Sequence, residues 1–339
     1  MPAEWEPHRS TILCWPHQKE DWPGKFTPIP WVYAEIVRQI VPGERVRIIV
    51  QSTAQQAKAK RHLERAHVDL SNIEFIVAKT DRGWMRDSAP LFVKRGKRTR
   101  AVGFLFNGWA KYSNWMNDRH IPRLLAEATG SEWLEATYRE RKVVLEGGSI
   151  DVNGAGTLLT TEECLLDPEV QVRNPGFGRK EYEKVFKDLL GVKNVVWLGK
   201  GIAGDDTHGH VDDLCRFVNR DTVVLCREQN PKEVNYSPLE ENFERMADAR
   251  LADGSKIGVV ALPMPGPLYF EGLRLPASYA NFYIANSVVL VPTFNDPNDR
   301  VALNILKDCF PDREVVGIHA VDLVWGLGTI HCLSREEPL

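Results

Sequence analysis

"SIDVNGAGTLLTT", residues 149–161, reads as two short strands around a glycine-rich turn. Ile150 and Val152 lead into Asn153–Gly156, and Thr157–Thr161 follows as a β-branched and leucine run, a hairpin pattern. Three more stretches share it: "LFVKRGKRTRAVGF" from Leu91, "CRFVNRDTVVLCR" from Cys215 and "NFYIANSVVLVPT" from Asn281. The four begin 58, 66 and 66 residues apart. Behind three of them comes a helix-like segment, Arg179–Leu190, Leu239–Ala249 or Arg300–Phe310. A short apolar strand then follows: "NVVWL" from Asn194, "KIGVVAL" from Lys256 and "EVVGI" from Glu314.

A period of roughly 60 to 70 residues predicts a radial array of ββαβ-like modules. Such closure leaves few strand edges open. One further step reaches Thr329, so "TIHCLSR" is read as a last strand, with "STILCWPH" (Ser10–His17) as the partner that closes the ring. An ordinary doubly wound α/β sheet is the alternative. No linker splits the chain, so residues 1–339 are expected to form one domain.

The 339 residues are 43% hydrophobic and 26% charged, with a formal net charge of -3, an ordinary globular composition. No run of Lys or Arg forms a basic stripe, which argues against nucleic acid or an anionic membrane surface as partner. No apolar run approaches the roughly 20 residues of a membrane helix, and "MPAEWEPHRS" lacks the pattern of a signal peptide. The reading is cytoplasmic. The six cysteines are scattered without a C-x-x-C pair, so free thiols are expected. A homodimer is the default for any oligomer.

Polar residues gather where each short strand ends and the next hairpin begins. "KTDRGWMRDSAP" brings Trp84 and Asp87, and "EGGSID" brings Glu146. "GKGIAGDDTHGHVDD" brings His208, His210 and Asp212, and "HAVDLVWGLGTIHC" brings Cys332. A lone acid at a strand end is usually a cap. Acid, imidazole and thiol at equivalent positions of related modules point instead to one site held by a rigid scaffold. If "GHVDD" is a strand, alternation puts His210 and Asp212 on one face. The same rule sends His331 and Cys332 to opposite faces, which makes His331 a hydrogen-bonded structural residue rather than the base for Cys332.

Two motif matches mislead. "GKGIAG" (199–204) fits a dinucleotide fingerprint, but a loop rich in acids follows it, not a helix. His208, His210 and Asp212 resemble a zinc-hydrolase cluster, yet no second ligand set follows downstream. This metal-dependent hydrolase is the weaker enzyme reading, and no metal or organic cofactor is expected. A nucleophilic Cys332 needs a base and an orienting group, roles open to His210 and Glu146. Asp87 and Asp212 then remain to hold a planar cation with several N–H donors, a guanidinium. A non-catalytic binder of cationic ligands is the alternative from a different class.

Long strings across the chain resemble the agmatine deiminase family, related to bacterial-type peptidyl-arginine deiminases: "MPAEWEPH", "GWMRDSAP", "LEGGSIDVNGAGTLLTTEECLL", "LPASYANFYIAN" and "WGLGTIHC". The resemblance implies a fivefold pseudo-symmetric α/β-propeller, the pentein fold of guanidino-modifying enzymes. It implies hydrolysis of a small-molecule guanidine, agmatine, to N-carbamoylputrescine and ammonia without a cofactor. Carried onto matching positions, Cys332 would be the nucleophile through an amidino-thioether. Asp87 and Asp212 would hold the guanidinium, His210 would be the acid–base and Glu146 its orienting partner. Trp84 and Trp109 would pack on the substrate, or simply in the core. Gly326 and Gly328 would let the backbone approach the substrate. The chain departs from the family at Ala89, at His208 and in Ser334–Glu337 after the thiol. Arg82 stands where agmatine-specific relatives carry an acid. It favours a carboxylate-bearing substrate, free or peptidyl arginine, unless it sits on the surface or pairs with Asp81.

Overall fold

The structure, a computed structural model, describes residues 1–96 and 98–339. Lys97, at the turn of the Leu91 hairpin, lies outside the described residues. The chain is mixed α/β, and five of its sheets repeat one local topology. In each, an antiparallel pair is extended by a parallel strand reached through a crossover. Leu91–Arg95 and Arg98–Gly103 are joined by Glu132–Glu135. Asp151–Val152 and Thr157–Thr161 are joined by Asn194–Leu198. Cys215–Phe217 and Thr222–Arg227 are joined by Gly258–Pro263. Tyr283–Ile284 and Val288–Thr293 are joined by Glu314–His319.

The fifth sheet unites the two ends of the chain. His8–Cys14 pairs antiparallel with Arg335–Pro338 and parallel with Arg45–Val50, which in turn pairs with Ile73–Val77. The two ends of the chain do pair, but the C-terminal strand is not "TIHCLSR". Ile330–Leu333 is one turn of helix, and the strand starts only at Arg335. Hydrogen bonds accepted by Asn281 explain the difference. Its Oδ1 accepts from the Thr329 hydroxyl at 2.7 Å and the His331 N–H at 3.2 Å, and its carbonyl accepts from the same N–H at 3.2 Å. These contacts occupy the segment's donors away from a β-ladder.

The crossover helices form for the expected reason. Ile29–Ile40 has Pro30 near its start and buries Ile29, Tyr33, Ile36, Val37 and Ile40 at helical spacing. The three helices foreseen downstream are Arg179–Val185, which runs on as a π-helical turn over Phe186–Leu190, Tyr236–Asp248 and Asn298–Cys309. Inner strands such as Val288–Thr293 are almost wholly buried, as expected where both faces are covered. Among the described residues no helix is long and apolar enough to cross a membrane, and all six cysteines are free thiols.

Candidate active site

The joints between modules are built alike. A strand ends, one turn of helix follows, and the next hairpin begins. Met85–Ser88 carries Asp87, and Gly147–Ser149 sits directly after Glu146. Val211–Asp213 carries Asp212, with His210 just before it, and Ile330–Leu333 carries Cys332. "GHVDD" is therefore a 3-10 turn and not a strand; the strand begins at Cys215. His210 and Asp212 still meet, because the tight turn folds them together rather than because side chains alternate.

Two of these joints, those of Asp87 and Cys332, line a cavity of about 650 Å3 together with Trp84, Trp109, Gly326 and Gly328, while Glu146, His210 and Asp212 are fully buried outside its lining. Cys332 is 6% exposed. Its Sγ accepts from Asn281 Nδ2 at 3.1 Å and lies 3.7 Å from Asp212 Oδ2. Burial, then Asp212, Asp213 and Asp87, push the thiol well above its usual value, with only Asn281 opposing. The resting form is the protonated thiol.

His210 is fully buried among carboxylates. Its Nδ1 lies 4.0 Å from Asp87 Oδ1 and 3.9 Å from Asp212 Oδ1, and its Nε2 lies 3.8 Å from Glu146 Oε2. These are ionic contacts too long to be hydrogen bonds, and both ring nitrogens are without a partner. Burial alone would pull the imidazole down, but the Asp87 charge first, then Cys164 and Glu146, lift it well above its usual value. Glu146 is held down to about 2: burial works against ionisation, and the Arg173 guanidinium, 3.2 Å from Oε1, overcomes it. Its Oε2 has no hydrogen-bond partner, nor has Asp212 Oδ1.

Asp87 accepts from the Gly148 N–H at 3.0 Å and from the Trp109 indole at 2.8 Å. Burial raises its carboxyl above the usual range, with Asp212 and Glu146 adding to it against His210. Gly148 has a steric reason to be glycine. A Cβ there would stand 2.5 Å from His210 Nδ1, 3.0 Å from Asp212 Oδ2 and 3.1 Å from Asp87 Oδ1. Asp212 Oδ2 is 2.6 Å from His331 Nδ1, so His331 sits in a buried hydrogen-bond network behind the cavity.

Gly326 and Gly328 line the cavity, and neighbouring indoles also leave no room for a side chain at either. A Cβ on Gly326 would meet Trp22 at 2.6 Å, and one on Gly328 would meet Trp84 at 2.9 Å and Cys332 Sγ at 3.2 Å. Between them Leu327 takes φ +66°, a strained conformation at the cavity wall. His208 does not join His210 and Asp212; its Nε2 is 2.9 Å from Asp167 Oδ2. Among the described residues the atoms close enough to share a metal are those of Glu146, Cys164 and His210, and of Asp212, Asp213 and Cys332. Arg82 pairs with neither Asp81 nor solvent. It donates to Asp21 Oδ1 and to Asn114 Oδ1, both at 2.7 Å, and lies 4.1 Å over the Tyr112 ring. Trp84 donates to the other oxygen of Asp21 at 3.1 Å. Asn281, on the thiol, was not foreseen. It carries no charge to flag it, although "LPASYANFYIAN" contained it.

The fold recurs in an amidinotransferase from Microseira wollei at 12% identity and a TM-score of 0.52, which places the chain in that fold class. The chain belongs to the Porphyromonas-type peptidyl-arginine deiminase family, which it matches over residues 1–338. It is 35% identical to an agmatine deiminase of Pseudomonas aeruginosa strain LESB58 over 100% of this chain and 95% of that protein. The agmatine deiminase of Enterococcus faecalis superposes with a TM-score of 0.90 at 30% identity, covering 100% of this chain and 95% of that one. A C. jejuni agmatine deiminase bearing a Cys-to-Ser change, with substrate bound, superposes at 0.87 with 28% identity over 99% and 95%.

Proposed function

We propose that this protein is an agmatine deiminase that hydrolyses the guanidino group to N-carbamoylputrescine and ammonia through a covalent intermediate on Cys332. One observation carries the reading: the buried thiol and Asp87 line a cavity, and behind them lie carboxylate acceptors in excess of donors. Asp212 Oδ1 and Glu146 Oε2 are buried and unpartnered. Such groups are costly without a partner, and a planar, multiply donating cation supplies one. The full-length similarity to agmatine deiminases supports the same conclusion.

The guanidinium lies between Asp87 and Asp212. Its charge favours the thiolate that both aspartates otherwise suppress, so the thiol releases its proton to solvent as the substrate binds and the substrate helps to activate Cys332. The thiolate attacks the central carbon and forms a C–S bond. His210 gives its proton to the departing nitrogen, the C–N bond breaks and ammonia leaves. Glu146 steadies the imidazole through both steps. His210 then takes a proton from water, which adds to the same carbon. The C–S bond breaks with the sulfur leaving as thiolate, the hydroxyl gives up its proton as the ureido carbonyl forms, and that proton restores the thiol as the product departs.

The cavity mouth supports agmatine over arginine. Arg82 is neutralised by Asp21, and Lys111 is paired with Asp206. Glu20 is an exposed lining carboxylate with no ion pair among the described residues. The surplus is negative, which suits an amine tail and not a carboxylate. We further propose that the five like sheets ring a pseudo-fivefold axis, that residues 1–339 act as one catalytic domain, and that the protein works in the cytoplasm. The test is ammonia release from agmatine, free arginine and an arginyl peptide in parallel, with chelator present. Turnover of agmatine alone is expected. Preference for arginine would overturn the substrate assignment, and release from none of the three would overturn the deiminase reading.

A further inference from the structure

The fourth residue of the chain reaches the back of the site. Glu4 is 6% exposed, and each of its oxygens accepts twice. Oε1 takes the Arg216 guanidinium at 3.0 Å and the Ile284 N–H at 2.8 Å. Oε2 takes Arg86 at 2.9 Å and lies 2.8 Å from His331 Nε2. The other nitrogen of that ring is the one 2.6 Å from Asp212 Oδ2. Glu4 thus links Arg86, next to Asp87, with His331, next to Cys332.

We propose that Glu4 and His331 are positioning residues, which together hold Asp212 as an anion with one oxygen fixed and the other free for substrate. The inference rests on the guanidinium role given to Asp212 above. An ionised carboxylate only accepts, so a ring held between two of them donates through both nitrogens. Asp212 needs such a partner. It faces the Cys332 thiol at 3.7 Å and His210 at 3.9 Å, with Asp87 and Asp213 nearby and Arg216 behind. Burial pushes its carboxyl up, and the hydrogen bond and charge of His331 bring it below the usual value. Its Oδ1 remains unpartnered and buried. Glu4 in turn keeps the ring oriented through its 2.8 Å contact with Nε2.

The test compares full-length wild type, His331→Ala, His331→Asn and Glu4→Gln. Carbon-13 NMR follows the Asp212 carboxyl with pH, and kinetics follow agmatine turnover with pH. In His331→Ala the Asp212 titration moves to higher pH and the acid limb of kcat/KM moves with it. Turnover at neutral pH falls about 10- to 100-fold, chiefly through KM, as for loss of a charged hydrogen bond. His331→Asn, whose amide still donates to Asp212, recovers most of the loss. Glu4→Gln shifts the titration the same way by less. An unmoved Asp212 titration and acid limb, with only thermal stability lost, overturns the proposal. If wild type releases no ammonia from agmatine, the deiminase reading fails, and the Asp212 titration alone decides this one. If the variants do not fold, the carbon-13 titration of wild type decides it: an Asp212 carboxyl titrating above the usual aspartate range overturns the proposal, and one titrating below it supports it.

Discussion

Gly148 and Glu20 mark the two ends of the cavity's demands on single residues. Gly148 has no room for a methyl group, since His210, Asp212 and Asp87 all crowd its missing Cβ. Gly148→Ala is expected to fold and to lose about 100-fold or more in kcat, because a displacement near 1 Å among reacting groups costs that much. Near-normal kcat in a folded variant would contradict the packing argument. Glu20 is exposed at the mouth, so its charge is screened and contributes little. Glu20→Gln should raise KM for agmatine about threefold with kcat unchanged, read by steady-state kinetics. At this scale the sequence was most informative about ionisable groups. Asp87, Glu146, His210, Asp212 and Cys332 stood out because acid, imidazole and thiol recur at matching places. Arg82 stood out too, but its partner did not. Asp21 is 61 residues away in sequence, and spacing alone favoured the adjacent Asp81. Asn281 gave no charge signal at all.

One-turn helices at the module joints are the elements that make the site. Each is too short for helical periodicity to be seen, so "GHVDD" and "TIHC" read as strands from their β-branched and apolar residues. Strand propensity is weak and yields to context. The context here is Asn281, which ties Thr329, His331 and the Cys332 thiol by hydrogen bonds from the neighbouring module. Asn281→Ala should therefore loosen the Ile330–Leu333 turn and remove a hydrogen bond that lowers the thiol's proton affinity. Iodoacetamide inactivation followed against pH should show Cys332 titrating still higher than in wild type, with kcat reduced about 100-fold. An unchanged alkylation profile would show that Asn281 does not set the thiol's state.

At the scale of the whole molecule, the chain's ends are part of one sheet rather than loose tails. Arg335–Pro338 lies on His8–Cys14, and Glu337 accepts from Arg47 at 3.1 Å with both side chains nearly buried. Glu337→Gln leaves Arg47 with Glu74, at 2.8 Å, as its remaining carboxylate and is expected to cost about 2 kcal/mol in urea denaturation, in the range for a lost charged hydrogen bond. A loss under about 1 kcal/mol would show the closure is not held there. The repeat of hairpin, helix and strand was legible because each module repeats the same periodicities at near-equal spacing. What places the joints around one cavity is long-range packing, which no local pattern encodes. The central claim is that Cys332 carries the substrate during turnover. Intact-protein mass spectrometry of enzyme acid-quenched during agmatine turnover tests it directly. The expected result is a mass increase equal to agmatine less ammonia, mapped to Cys332 and absent from Cys332→Ala, which is inactive. Sustained ammonia release by Cys332→Ala would contradict it.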